Sequence, residues 1–322
     1  MIQTGYIGTY ASPKSHGIYR FFFDTETGEL SKPELFYEGR DMKCAAFSKG
    51  LLAAPVQREG TAGVVLLDTE HRGRVVAEAN FEKETSCYLL LEDEYLYSAN
   101  FHEGHVLVCR RDNGALELAH RTSFGREAGC HQVLCRGQLL LVPCMNLDRV
   151  ALLDRERDFT EAGSIDFPPG SGPRHGVFDH RGRWLYVVTQ FSHEVYAFQV
   201  EDAGFRQEGA YPIFENAGLP GAETAAVRLS PDGRFLYVST RGANVLTVFA
   251  LNDGDLTRLQ QVSCRGDHPR DFVLSSDGRF LLVLNRDSDN LVSFQLDRES
   301  GLIGAAVSEA EIARGSGIVL YE

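Results

Sequence analysis

Arginine and histidine recur in this chain at places where they could handle an anion beside a reactive carbonyl. Arg174 and His175 stand together in GPRH, Arg241 in STRGAN, Arg270 in HPRDF and His131 in GCH. A guanidinium is a planar fork that grips a phosphate or carboxylate through two parallel hydrogen bonds, and it can steady a developing oxyanion. Neutral imidazole activates water or shuttles a proton near pH 7. Gln190, in VVTQFSHEV, can orient a water but cannot take its proton. Each position also has a structural alternative. Arg174 can pair with an acidic neighbour, Asp271 can neutralise Arg270, and His131 can be a hydrogen-bonded strand residue.

Residues this far apart in sequence need a repeat to position them. Three segments overlay: PRHGVFDHRGRWLYVVTQFSHEVYAFQV from Pro173, AAVRLSPDGRFLYVSTRGANVLTVFAL from Ala225, and PRDFVLSSDGRFLLVLNRDSDNLVSFQL from Pro269. Each reads as a three-strand meander with a D/S-x-G-R turn between its first two strands. Weaker copies begin at Met42, Ser86 and Gly129, so that equivalent positions fall near 43, 87, 131, 175, 226 and 271. That spacing is within the range of propeller blades. The seventh copy is split between GSGIVLY at Gly315–Tyr321 and the N-terminal TGYIGTY and GIYRFFFD.

The pattern predicts an all-β chain, a seven-bladed β-propeller forming a single domain over residues 1–322. Its ring is closed by pairing of the C-terminal strand with the N-terminal strands, which removes exposed edges. In such a ring the inner strands start at one end of the channel. His131, Arg174, His175 and Arg270 lie at those starts, and Gln190 and Arg241 lie in turns returning to the same end. One conflict stands out. Side chains alternate along a strand, so Arg174 and His175 cannot both face the channel unless a bulge intervenes.

Composition narrows the partners. With 32 Lys+Arg against 45 Asp+Glu the formal charge is −13, and its field repels nucleic acid and anionic membrane surfaces. A local arginine cluster can still focus a small anion into a cleft. There is no signal-peptide pattern and no apolar run long enough to span a bilayer. The seven cysteines form an odd set without metal-ligand spacing and read as reduced thiols of a cytoplasmic protein. The expected oligomeric state is a monomer or a weak homo-oligomer.

The sequence resembles the bacterial 6-phosphogluconolactonase family of seven-bladed propeller lactonases, which is related to the fungal carboxymuconate lactonizing enzymes. The resemblance rests on YIGTY with GIYRFFFDTETGEL, SANFHEGHV, GCH with VPCMNLDRV, GPRH, SPDGRFLYVSTRG and HPRDFVLSSDGRFLLVLNRDSDNLVSFQLDRESGLI, nearly end to end. It implies metal-free, cofactor-free hydrolysis of a small anionic sugar lactone, most closely 6-phosphogluconolactone. The fungal relatives imply instead a cycloisomerase acting on a carboxylic acid, and a non-catalytic binding module is the third reading. His131, Arg174, Gln190 and Arg241 fall on the family's catalytic positions, and His175 and Arg270 are taken as substrate-binding. His102, Glu103 and His105 fall in a polar turn of the family, which argues against a metal there. Two departures concern carboxylates. Relatives commonly supply one where Gln190 and Ala226 stand, and Glu223, three residues before Ala226, offers a compensation that spacing alone does not establish.

Overall fold

The structure is a computed structural model that describes residues 1–112, 114–202, 204–215 and 220–321. Its strands form seven four-stranded antiparallel sheets, and the fold is a seven-bladed β-propeller. Blade 1 orders Gly315–Tyr321, Ile2–Thr9, Gly17–Asp24 and Glu34–Glu38, so the last strand pairs with the first as the sequence predicts. Blades 2, 3 and 4 occupy residues 46–82, 88–123 and 134–166. Blade 5 comprises Pro173–Phe178, Trp184–Thr189, Glu194–Glu201 and Gly204–Pro212; blade 6 comprises Glu223–Leu229, Phe235–Arg241, Val245–Asn252 and Asp255–Ser263. Blade 7 runs from Pro269 to Glu311.

The three-strand reading of the repeat is one strand short. Each blade carries a fourth, outer strand such as Asp255–Ser263, where Leu256 alone is buried and half-buried residues alternate with exposed ones. Only one face of such a strand packs, so its sequence is largely polar.

By their contacts the residues form two compact units, one of Met1–Gly5, Phe21–Pro33 and Gly170–Glu322, the other of Tyr6–Arg20 and Glu34–Pro169. In the first unit, period-two alternation builds the core. Along Phe235–Arg241 every residue is buried: Leu236 and Val238 join Tyr186, Val188 and Val195 of blade 5, while Phe235 and Tyr237 join Phe272, Leu281 and Val283 of blade 7. A strand apolar on both faces is therefore the seam between two cores, and cutting such a leucine to alanine costs about 2–5 kcal/mol. The second unit repeats this with one core joining blades 2 and 3 and another joining blades 3 and 4.

The S-x-D-G-R turns close themselves. Asp232 accepts the Ser230 hydroxyl at 2.7 Å and the Arg234 amide at 3.1 Å, and Asp277 does the same with Ser275 at 2.6 Å and Arg279 at 3.1 Å. Gly172 has φ +67°, and a Cβ there would lie 2.6 Å from the Phe191 ring. Gly8 is different. It lies inside the strand Ile2–Thr9, where a Cβ would come within 2.4 Å of the Met42 carbonyl, so its role is close backbone packing and not a turn.

Candidate active site

In the first unit, the first strands of blades 5, 6 and 7 all break register at the same point. Pro173 pairs with Thr189 and His175 with Val188, which leaves Arg174 unopposed. Pro269 pairs with Asn285 and Asp271 with Leu284, which leaves Arg270 unopposed. In blade 6, Thr224 pairs with Thr240 and Val227 with Val238, so that Ala225 and Ala226 together face Ser239. Two residues against one is a β-bulge, and it re-aims side chains that strict alternation would send to opposite faces.

The bulge resolves the conflict between Arg174 and His175. One guanidinium nitrogen, Nη1 of Arg174, lies 3.5 Å from both ring nitrogens of His175, against the imidazole face. The same nitrogen donates to the Ala225 carbonyl inside the blade 6 bulge. Arg174 is only 1% exposed, so a full positive charge has been built into the interior of the unit. Such burial is costly unless something depends on the charge.

Gln190, Glu223 and Arg241 form a closed triangle. Arg241 donates from Nη2 to the Gln190 side-chain carbonyl at 2.7 Å and pairs through Nη1 with Glu223 Oε2 at 3.0 Å. Gln190 Nε2 donates to Glu223 Oε1 at 3.2 Å. Backbone bonds hold the triangle to its strands: the Gln190 amide donates to Gly172 at 2.7 Å and the Thr224 amide to Gln190 at 3.1 Å. Gln190 and Arg241 are buried and the Glu223 side chain is partly open, at 38% exposure. A carboxylate is thus present beside Gln190, carried by the next blade.

Positive charge dominates the surroundings. Burial, and then the charges of Arg174, Arg228, Arg270 and Arg241, hold the His175 pKa well below that of ordinary imidazole, so the ring is neutral at pH 7. Arg228 pairs with Asp271 at 2.8 Å, and Asp271 also accepts the amides of Phe272 at 2.9 Å and Ile318 at 3.3 Å. Asp271 is therefore held by Arg228 and by backbone. His268, 3.2 Å from Asp287, is driven down to about 3 by burial and by Arg286 and Arg241.

His131 lies in the second unit. Its amide donates to the Pro143 carbonyl at 3.0 Å, and its buried ring meets the Phe101 ring edge-on with centroids 6.0 Å apart. His102, Glu103 and His105 are engaged separately. The Phe101 ring stands against His102 at 5.3 Å, Glu103 accepts the amides of Lys83 at 2.7 Å and Glu84 at 2.9 Å, and His105 bonds Glu82 at 3.1 Å. Among the described residues no group of three or more His, Cys, Asp or Glu is placed to hold a metal ion.

The structure therefore places Arg174 and His175 in one pair and Gln190 and Arg241 in a triangle with Glu223, with Arg270 on the bulge of the next blade. Sequence reasoning did not find Arg228 or His268. Arg228 could have been sought as the inward partner of Asp271, since both sit on first strands of successive repeats; His268 precedes the last repeat and carried no signal.

Comparison with known proteins bears on the family and the fold. The chain is 28% identical over 321 residues to the 6-phosphogluconolactonase of Bacillus subtilis, with 92% of each chain covered. Its fold superposes on a Lactobacillus plantarum protein with a TM-score of 0.94 at 26% identity over 100% of both chains. It superposes on the periplasmic gluconolactonase of Pseudomonas aeruginosa with a TM-score of 0.92 at 27% identity, over 100% of this chain and 99% of that one. Residues 4–320 match the family described as the seven-bladed β-propeller lactonases, and the chain belongs to that family.

Proposed function

We propose that this chain, acting as one domain over residues 1–322, is a lactonase that opens an anionic sugar lactone of the 6-phosphogluconolactone type by metal-free hydrolysis. The observation that carries the reading is the Gln190–Glu223–Arg241 triangle beside the Arg174–His175 pair. In it, Glu223 supplies the carboxylate that the resemblance expects at Gln190.

Glu223 takes a proton from water as the water oxygen attacks the lactone carbonyl carbon. Arg241 steadies the charge that develops on the carbonyl oxygen. Collapse breaks the ring C–O bond, and the proton held by Glu223 passes to the departing alkoxide, leaving the open hydroxy acid. Arg270, only partly buried, adds to the positive field that draws the anionic substrate towards the site. Arg174 is a positioning residue: it fixes the His175 ring and keeps it neutral, so that His175 hydrogen-bonds the substrate without adding charge. Entry of an anion offsets the surrounding arginines and raises the proton affinity of that ring. His131 is the alternative proton carrier, which His131→Asn tests.

The seven free thiols fit a reducing, cytoplasmic setting for this activity. No helix among the described residues is long and apolar enough to cross a membrane.

The test is a lactone panel with 6-phosphogluconolactone and unphosphorylated gluconolactone, measuring acid release above spontaneous hydrolysis. Acceleration that falls by about 10²–10⁴ in Glu223→Gln, the range for loss of a general base, supports the reading. A wild-type protein that accelerates no lactone sinks it.

A further inference from the structure

The second unit contains a cation that the proposed reaction leaves unused. Lys43 is 7% exposed, yet no ion pair among the described residues includes it. This is not a shortage of acid, since the chain holds 45 Asp+Glu against 32 Lys+Arg. Its ammonium instead stands over the face of Tyr10, 5.8 Å from the ring centroid. Lysine is almost never this enclosed without a partner.

Its place in the fold is not arbitrary. Lys43, Cys87 and His131 occupy the same position in successive repeats. The segments leading into the first strands of those repeats touch: the Cys44 thiol reaches the Ser86 carbonyl at 3.9 Å, and the Cys87 thiol reaches the carbonyls of Cys130 at 3.4 Å and His131 at 3.8 Å. A second imidazole joins the row. Burial and the Lys43 charge both hold His102 below the ordinary imidazole pKa, and the Phe101 ring bridges His102 and His131 with centroid distances of 5.3 and 6.0 Å. The Lys43 backbone is pinned as well, because Gly8 packs against its neighbours Met42 and Cys44.

We propose that Lys43, with His102 beside it and Tyr10 beneath it, forms a subsite for a phosphoryl group on a small-molecule ligand. An ammonium is a compact point charge that suits a tetrahedral dianion, whereas planar carboxylates favour the guanidinium fork. A dianion would neutralise Lys43 and draw a proton onto His102, giving the second charged donor. The inference rests on the lactonase reading only for the choice of probes.

Calorimetric titration with 6-phosphogluconate, gluconate and inorganic phosphate tests it on wild type, Lys43→Met and Lys43→Arg. The expected result is that 6-phosphogluconate binds wild type more tightly than gluconate, and that Lys43→Met weakens it by about tenfold or more, the scale of one charged hydrogen bond. Lys43→Arg should keep most of that affinity, gluconate should be indifferent to both substitutions, and inorganic phosphate should bind wild type but not Lys43→Met. Equal binding of 6-phosphogluconate by wild type and a folded Lys43→Met overturns the proposal, as does an equal loss for gluconate. If Lys43→Met does not fold, His102→Asn must weaken 6-phosphogluconate selectively, and no change there overturns it too. A protein inert on every lactone that still shows Lys43-dependent binding would refute the proposed reaction and leave this subsite standing.

Discussion

Two buried polar networks, one in each unit, differ in the charge they are built around, a carboxylate in one and guanidinium groups in the other. In the second unit Glu82 is 3% exposed, and its carboxylate accepts the Ser86 hydroxyl at 2.8 and 2.9 Å, the Asn100 amide at 2.8 Å and the His105 ring at 3.1 Å. Every contact there is local to the outer strand of blade 2 and its junction with blade 3. In the first unit, Arg174, Arg228, Arg241 and Arg270 all bear on His175, while Glu223 and Asp271 are the carboxylates paired with two of them. A satisfied network rigidifies a fold. A network in which four guanidinium charges bear on one buried imidazole is held at a cost in stability and becomes useful when an anion arrives.

The sharpest way to break this contrast is Glu82→Ala. It strands three donors in the interior, and urea unfolding should show a loss of about 3–5 kcal/mol, while the folded fraction keeps its turnover. A loss below 1 kcal/mol (about the worth of a surface pair) would put the two networks in the same class. Arg241→Ala should do the reverse. Turnover on 6-phosphogluconolactone should fall by about 10²–10³, the scale of one lost oxyanion donor, with stability nearly unchanged because repulsion among the arginines is relieved.

Protonation gives a subtler separation. His175 and His268 have folded pKa values below the unfolded value of about 6.5, so the unfolded chain binds the extra protons. Their contribution is complete above that value and is lost as pH falls from there towards about 3 for His268. Thermal unfolding at pH 7 and pH 5 should therefore show a lower midpoint at pH 5. The smallest effect belongs to His268→Asn, which should narrow that gap without closing it, since His175 still titrates. An unchanged gap in His268→Asn would mean that this ring is already protonated in the folded chain.

The ring was legible because its middle strands are apolar on both faces and because S-x-D-G-R turns recur at blade spacing. Outer strands escaped notice for the opposite reason: Thr160–Asp166 buries one residue of seven, which leaves no periodic signal to read. Positions of Arg174, His175, Gln190 and Arg241 could be named, but their mutual arrangement could not. It depends on the bulge at Arg174, which no residue in GPRH announces, and on a bond between Gln190 and Glu223, 33 residues apart. Glu223 was visible as a nearby acid. Only the pairing across blades puts it in contact with Gln190 in the candidate site.

The sheet that joins Gly315–Tyr321 to Ile2–Thr9 has a further consequence for how the protein is made. During synthesis Ile2–Thr9 emerges long before Gly315–Tyr321 and must wait, with one edge unsatisfied, until that later strand has been made. Blades 2 to 7 can each form from contiguous chain in that interval, but blade 1 cannot. The slow, non-local step of folding is therefore placed at the end, and the nascent chain spends its longest vulnerable period with a bare strand edge that another copy could capture.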